Sequence, residues 1–274
     1  MGDSASDSAG PLPVRCEEVD DIAIVTLDRP DEGNALTAHT LAQLRRTTTR
    51  LRDEERVRGV VLTGTGTAFC VGAEVGELRR FSRSRAVDEL TTMAEDLAAV
   101  VLDLRALPGP VVAAVNGLAA GAGFSLALAC DARVAAERAA FHFAYGALGA
   151  TTDGGMSWLL PRLVGADRAL TLLLEQPVLR AVAAQRLGLL AEVVPADVLV
   201  DTALRLARSL SGYPAHTVRA VKELIGSSFA SSLEDHLRRE HDLAVRTLLD
   251  PDVLGGRTDR RPPKRGDPVD PEAG

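Results

Sequence analysis

Short apolar runs alternate with longer stretches of helical spacing along most of the chain. Ile22-Ala23-Ile24-Val25-Thr26-Leu27 reads as a strand, and Val57-Arg58-Gly59-Val60-Val61-Leu62-Thr63 reads as a second. Between them, Ala35-Leu36-Thr37 leads into a helical run through Leu41, Leu44 and Leu51. Leu90, Met93, Leu97, Val100, Val101 and Leu104 recur at helical spacing, which predicts a helix ending before Pro108-Gly109-Pro110. Val111-Val112-Ala113-Ala114-Val115 gives a third strand, and Ala132-Arg133-Val134-Ala135 and Ala140-Phe141-His142-Phe143 give two shorter ones. Asp153-Gly154-Gly155-Met156 opens another helix. From about Ala166 the pattern is almost wholly helical, broken at Gln176-Pro177 and Gly212-Tyr213-Pro214. Strand-strand-helix units followed by a helical tail predict an α/β core with a helical appendage rather than two independent domains.

Composition narrows the class without changing that picture. With 274 residues, 46% hydrophobic and 25% charged, the chain has the make-up of an ordinary soluble globular protein, and no apolar run reaches membrane-spanning length. Residues 1–13 begin with a small, polar, acidic stretch lacking the basic and apolar regions of a signal peptide, so a disordered tail on a cytoplasmic protein is expected. Residues 251–274, rich in Pro, Gly, Asp and Arg, are expected to be extended or mobile. Cys16, Cys70 and Cys130 have no CxxC or histidine partners at zinc spacing, so no metal site is expected and core thiols are. Net charge is −7 and lysine occurs only at Lys222 and Lys264, so anions must be held mostly by arginine or backbone N–H groups. The absence of a basic stripe interleaved with aromatics excludes an obvious nucleic-acid surface.

The segment from Asn116 to Asp131 is the richest in chemistry. A glycine-punctuated turn after the third strand runs into a short apolar helix, an arrangement that brings backbone close to a ligand and aims free N–H groups at it. Such a helix start suits an anion or oxyanion. Leu126 stands where a dinucleotide fingerprint needs its third glycine, and no Gly-Lys-Ser/Thr follows as a phosphate loop requires.

Four motifs in order resemble the crotonase family, the enoyl-CoA hydratase/isomerase superfamily, from about residue 14 to residue 250. They are Leu27-Asp28-Arg29-Pro30 through Asn34-Ala35-Leu36, Val61-Leu62-Thr63-Gly64 through Phe69-Cys70-Val71-Gly72-Ala73-Glu74, Asn116 to Asp131, and Gly149-Ala150-Thr151-Thr152-Asp153-Gly154-Gly155 with Pro161-Arg162-Leu163-Val164-Gly165. The resemblance implies a crotonase-type spiral of ββα units over residues 14–200, with the CoA and active site. It also implies a C-terminal helical trimerisation region over residues 201–250, with a homotrimer or dimer of trimers as the assembly. The substrate implied is an acyl-CoA thioester, with no cofactor besides the CoA it carries. Two backbone N–H groups, on Ala73 and Ala122, fall where the family places its oxyanion hole. The matched loops imply substrate contacts at Arg29, Val71, Gly72, Glu74, Gly121 and Gly123.

The residues expected to do chemistry depart from the family's hydratases. Those members carry two glutamates at positions that are Ser125 and Tyr145 here, and adding water across a double bond needs one group to activate water and one to deliver a proton. The loss argues against hydration. Asp153 falls where several isomerases and aryl-CoA dehalogenases of the family carry a working aspartate, and Trp158 matches the pattern of the ring-epoxide isomerases. A single carboxylate can move a proton between two carbons while the oxyanion hole holds the enolate, so an isomerase is the favoured expectation. Three roles stand open for Asp153: acid/base, nucleophile, or N-cap of a helix starting at Gly154. Tyr145 either donates its hydroxyl to substrate or Asp153, or fills a core. Ser125 either replaces the glutamate as a satisfied hydroxyl or relays a proton. Strand alternation places His142 on the face opposite Phe141, Phe143 and Tyr145.

Further departures concern the carrier. The family's cations near the CoA phosphates are replaced by Asp31, Glu32 and Gly33, and by Gly76. Phosphate contacts are then left to Arg29 or to groups such as Lys264, and an acyl group on a carrier protein stays open. Glu74 stands where the family usually has aspartate and is expected to fix its loop. A different thioester-enolate reaction (hydrolysis, decarboxylation or dehalogenation) and a catalytically silent thioester-binding protein are the alternatives.

Overall fold

The computed structural model describes residues 12–250 apart from Glu55, Ala147 and Leu148. The expected tail over 251–274, most of that over 1–13, and Lys264 lie outside the described residues. Strand β1 (Val14–Val19) turns at Asp20 and Asp21 into β2 (Ile22–Leu27), with which it pairs antiparallel. Asp20 takes the left-handed conformation the tight turn requires, at φ 59°. Three further strands, β3 (Gly59–Gly64), β5 (Val111–Val115) and β7 (Ala132–Ala136), add in parallel, and β10 (Glu192–Val194) closes a six-stranded sheet in the order β1-β2-β3-β5-β7-β10.

The second strand of each unit leaves that sheet for a smaller one. β4 (Ala68–Cys70), β6 (Leu118–Ala120) and β8 (Ala140–His142) run parallel, and β9 (Val178–Arg180) pairs antiparallel at the edge. Two strands in two sheets followed by a helix, repeated, produce the ββα spiral. The helices are α1 (Ala38–Arg52), α2 (Val75–Ser84), α3 (Val87–Ala106), α4 (Ala122–Ala129), α5 (Met156–Val164), α6 (Ala166–Glu175), α7 (Ala181–Arg186), α8 (Leu199–Leu210), α9 (Ala215–Ser227) and α10 (Leu233–Leu248).

Both faces of the large sheet are covered, which is why its strands read as nearly continuous apolar runs. Ala23, Val25, Leu27, Val60 and Leu62 join the main core with the apolar positions of α1, α3 and α4. Alternate residues Ile22, Ile24, Val61 and Val112 lie under Leu199, Ala203, Leu204 and Ala207 of α8. Fully burying each of those leucines is worth about 1.5–3 kcal/mol. α8 therefore completes the core, although the sequence division at residue 200 assigns it to the C-terminal region. Beyond it, α9 is latched by Lys222, whose Nζ lies 2.7 Å from Asp131 and donates to Gly109 O at 2.8 Å. α10 packs on α9 and buries no residue of its own.

Polar ties also cross the core. Asp103 of α3, only 7% exposed, accepts from Thr48 and Thr49 of α1 and pairs with Arg52 at 2.8 Å, while Asp96 pairs with Arg45 at 2.7 Å. Among the described residues no helix is long and apolar enough to cross a membrane, and no group of three or more His, Cys, Asp or Glu converges as a metal site.

The structure corrects the sequence expectations at several elements. The segment after Ala166 is not wholly helical: β9 and β10 interrupt it, because three-residue strands show no period of their own and exist by pairing with β8 and β7. β1 and α2 are also additions, and β4 and β6 lie within stretches read as loop and turn. The sequence helix at Gly154 begins instead at Met156, with Gly155 as its N-cap.

Candidate active site

The site forms where the first loop, the β4–α2 loop and the start of α4 meet. Asn34, 1% exposed, ties the first loop to the β3–β4 turn: its Oδ1 accepts from Arg29 N at 2.9 Å, and its Nδ2 donates to Thr65 O at 2.9 Å and Ala68 O at 2.8 Å. Leu36 then bridges the chain at Ala73 as a strand would, its N–H donating to Gly72 O at 2.8 Å and its carbonyl accepting from Glu74 N at 3.0 Å. Those two bonds flank Ala73, so the Ala73 N–H points away from Leu36. It has no backbone acceptor among the described residues.

The second donor comes from the start of α4. Gly121 has φ 50° and ψ −125°, a conformation closed to residues with a Cβ, and this bend sets Ala122 as the first helical residue. Its N–H is one of the four that a helix start leaves without an intrahelical partner, and it too finds no backbone acceptor among the described residues. The two donors adjoin: a Cβ on Gly72, which has φ 90°, would lie 3.3 Å from Ala122 N. Two N–H groups without acceptors at a helix start make a site for developing negative charge. Gly123, by contrast, faces β4, where a Cβ would fall 2.2 Å from Cys70 O, so its small size serves close packing. Burial pushes the Cys70 and Cys130 thiols up to about 12, which leaves both inert as nucleophiles.

A chain of hydroxyls connects α4 to the Asp153 carboxyl group. Tyr145 Oη donates to Asp153 Oδ1 at 2.9 Å and lies 2.9 Å from Ser125 Oγ. With the Tyr145 proton on Asp153, Ser125 donates toward Tyr145, Asp153 O at 3.0 Å or Gly121 O. Ser125 is fully buried, and Tyr145 is 8% exposed. Phe124 packs between Phe141 and Phe143, with ring centroids 5.1 and 5.4 Å away, and His142 takes the alternate position at the end of β8. Ala144 then turns the chain with φ 60°, a strained value for alanine that delivers Tyr145 to Asp153.

Asp153 does not cap a helix. The N-terminus of α5 has no side-chain cap, and its Met156 N–H bonds the Asp153 carbonyl at 3.1 Å rather than the carboxylate. The carboxyl keeps a solvent-facing side, but the protein around its other sides strips enough water to raise its pKa above the ordinary carboxylate value. The Tyr145 hydrogen bond opposes that shift by favouring the ionised form. Burial first, then the Asp153 charge, raise the Tyr145 hydroxyl, which stays a proton donor at ordinary pH. A carboxylate with raised basicity, oriented by a neutral donor, is equipped to take a proton.

Ala73 also lines a cavity of about 630 Å³, together with Arg29, Val71, Glu74, Gly76 and Arg80, among others. Glu74 caps α2, accepting from Gly76 N at 2.8 Å and Glu77 N at 2.5 Å, and these bonds lower its pKa and hold it ionised. Arg29 spends Nη1 on Ala35 O at 3.0 Å and lies 3.5 Å from Glu32. Arg80, 3.2 Å from Glu77, is a second cation on this wall that the sequence pattern did not single out, because α2 itself carried no recognised signal. Trp158 lies farther along α5, 43% exposed, with the Arg162 guanidinium 3.5 Å from its ring centre. Asn34 stands inside the first matched motif, but its hydrogen bonds to Thr65 O and Ala68 O appear only in the fold. Its signal is the left-handed φ of 59°, a tertiary feature.

The ββα spiral thus brings two adjoining N–H groups that find no backbone acceptor among the described residues near one oriented carboxylate, an arrangement able to hold developing negative charge and to move a proton. The chain belongs to the enoyl-CoA hydratase/isomerase family, the crotonase superfamily, whose family model matches residues 17–263. It is 35% identical over 221 residues to 1,2-epoxyphenylacetyl-CoA isomerase of Escherichia coli K12, covering 81% of this chain and 84% of the relative. It is 37% identical over 228 residues to a "Probable enoyl-CoA hydratase" of Rhodobacter capsulatus, covering 83% and 86%. A solved enoyl-CoA hydratase from Polaromonas sp. JS666 superposes with a TM-score of 0.83 at 34% identity, covering 89% of this chain and 93% of the other.

Proposed function

We propose that this enzyme is an acyl-CoA isomerase, moving a proton through an enolate and not hydrating double bonds. Asp153 removes a proton from the carbon next to the thioester of a 3-enoyl group. The electron pair moves onto the thioester oxygen, where the Ala73 and Ala122 N–H groups hold it. Asp153 then returns the proton to the far carbon, leaving a conjugated 2-enoyl thioester with no atom gained or lost. Tyr145 positions the carboxyl, and Ser125 fills the space under it. The observation that carries this reading is the surroundings of Asp153: Tyr145 and Ser125 stand around it where a hydratase needs a second acid.

Arg29 and Arg80 supply the charge for the CoA phosphates under this proposal. The assembly is a homotrimer or dimer of trimers, a reading supported by the apolar side chains α10 leaves exposed, Leu233 at 75%, Leu237 at 53% and Leu248 at 52%. Sedimentation of the full chain tests it, and a monomer at micromolar concentration overturns it.

The chemistry is tested by supplying a 3-enoyl-CoA, crotonyl-CoA and 1,2-epoxyphenylacetyl-CoA in turn. Conjugated-thioester absorbance and product mass are followed. The expected result is conversion of the 3-enoyl-CoA or the epoxide at constant mass, no water added to crotonyl-CoA, and loss of turnover in Asp153→Ala. Water addition to crotonyl-CoA, release of free CoA, or full turnover in Asp153→Ala refutes the proposal.

A further inference from the structure

Residues four apart on α3 form a stripe leading away from the catalytic turn. Leu97 Cδ2 would lie 3.3 Å from a Cβ on Gly154, and Val101 Cγ1 would lie 3.7 Å from one on Gly155. Arg105 follows on the same face, so Leu97 to Arg105 spans about 12 Å of helix. Beyond Gly155 the stripe lines a cavity of about 720 Å³ between α3, α5 and α9. Its walls are apolar, from Val101, Leu102, Leu107, Trp158 and Leu159, and its far end is basic.

That basic end has donors to spare. The Arg105 guanidinium makes no hydrogen bond among the described residues, and its only carboxylate neighbour there, Asp131, is 3.6 Å away. Asp131 is already engaged, accepting from Val111 N at 2.8 Å and pairing with Lys222 at 2.7 Å. Arg219, also lining the cavity, has no carboxylate partner among the described residues, while Glu223 faces Arg239 at 3.9 Å. The end of the cavity therefore carries net positive charge over an unspent guanidinium fork, the geometry that takes a carboxylate.

We propose that this cavity receives the distal part of the acyl group, and that the acyl group ends in a carboxylate bound by Arg105 with Lys222 beside it. This rests on placing the thioester at Ala73 and Ala122. Apolar walls suit a methylene chain, and a plain alkyl end there would cover Arg105 without pairing it. An extended chain advances about 1.2 Å per bond, so roughly eight carbons (about 8 Å) and a carboxylate–guanidinium contact of about 2.9 Å together span nearly the ~12 Å of α3 from Leu97 to Arg105.

Saturated thioesters make the test independent of turnover. Calorimetric titration of the full chain with suberyl-CoA, octanoyl-CoA and succinyl-CoA is expected to show suberyl-CoA binding at least tenfold tighter than either. Arg105→Met is expected to erase the preference over octanoyl-CoA. Equal or tighter octanoyl-CoA binding, an equal advantage for succinyl-CoA, absence of binding by all three, or a preference unmoved in Arg105→Met overturns the proposal. If Arg105→Met does not fold, the wild-type comparison of three chains decides alone. Suberyl-CoA preference without isomerisation of a 3-enoyl-CoA would instead remove the isomerase reading and leave this pocket standing.

Discussion

Replacing Gly121 by alanine separates the oxyanion donor from general stability. The added Cβ meets nothing closer than Phe143 O at 3.9 Å, so its cost comes from the residue's own backbone at φ 50°, ψ −125°. Holding a Cβ-bearing residue there costs about 1–3 kcal/mol. The chain relieves it by rotating the peptide between residues 121 and 122, which turns the Ala122 N–H away from the substrate oxygen. Losing one such donor costs about 2.7–4 kcal/mol in the transition state, or roughly 10²–10³ in kcat. KM changes little, since the bond matters most when charge has developed. Gly188→Ala is the control: φ is 77°, nothing lies within 4 Å of its Cβ, and it sits between α7 and β10 away from the site. Denaturant unfolding should show both variants destabilised by about 1–3 kcal/mol. Steady-state rates on the best acyl-CoA substrate should fall only in Gly121→Ala. A Gly121→Ala enzyme within threefold of wild-type kcat, or an equal rate loss in Gly188→Ala, refutes the assignment of Ala122.

Three other outcomes are expected. Asp153→Asn should abolish turnover yet raise Tm at neutral pH: the folded-state pKa of Asp153 is raised, so its contribution to stability is intact below the unfolded value of about 3.9 and lost as pH rises through the folded one. Thermal melts across that range check it, and a gain that persists unchanged at pH 3 contradicts it. Tyr145→Phe removes the hydrogen bond that favours the Asp153 carboxylate, so the acid limb of the pH–rate profile should move to higher pH; an unmoved limb would show that the hydroxyl does not act on Asp153. Asp103→Ala leaves Thr48, Thr49 and Arg52 without their shared acceptor and should cost about 2–3 kcal/mol by urea unfolding, with rates unchanged at a temperature where both proteins are folded.

How far the sequence could be read follows from where each signal resides. β2, β3, β5 and the apolar stripe of α3 were legible because burial on one or both faces writes itself into consecutive residues. β9 and β10 were not, since three residues acquire strand geometry only from an existing edge. Ser125 and Tyr145 could be picked out as departures from a motif and Asp153 as a match to one, yet their roles stayed open in one dimension. They are 28 residues apart at the extremes, and only the fold brings their polar atoms to about 3 Å.

Sequence alone therefore determined the family scaffold, the small residues of two loops, and that Ser125 and Tyr145 stand where the family's hydratases carry glutamates. Those are properties of residue type and local order. Tertiary structure decided that Asp153 is held by Tyr145 and caps nothing, that Gly123 is a packing residue against Cys70, and that α3 carries a cation to the end of an apolar cavity. Each of these depends on which distant groups share a space and how much water they exclude, and both are set by packing between elements.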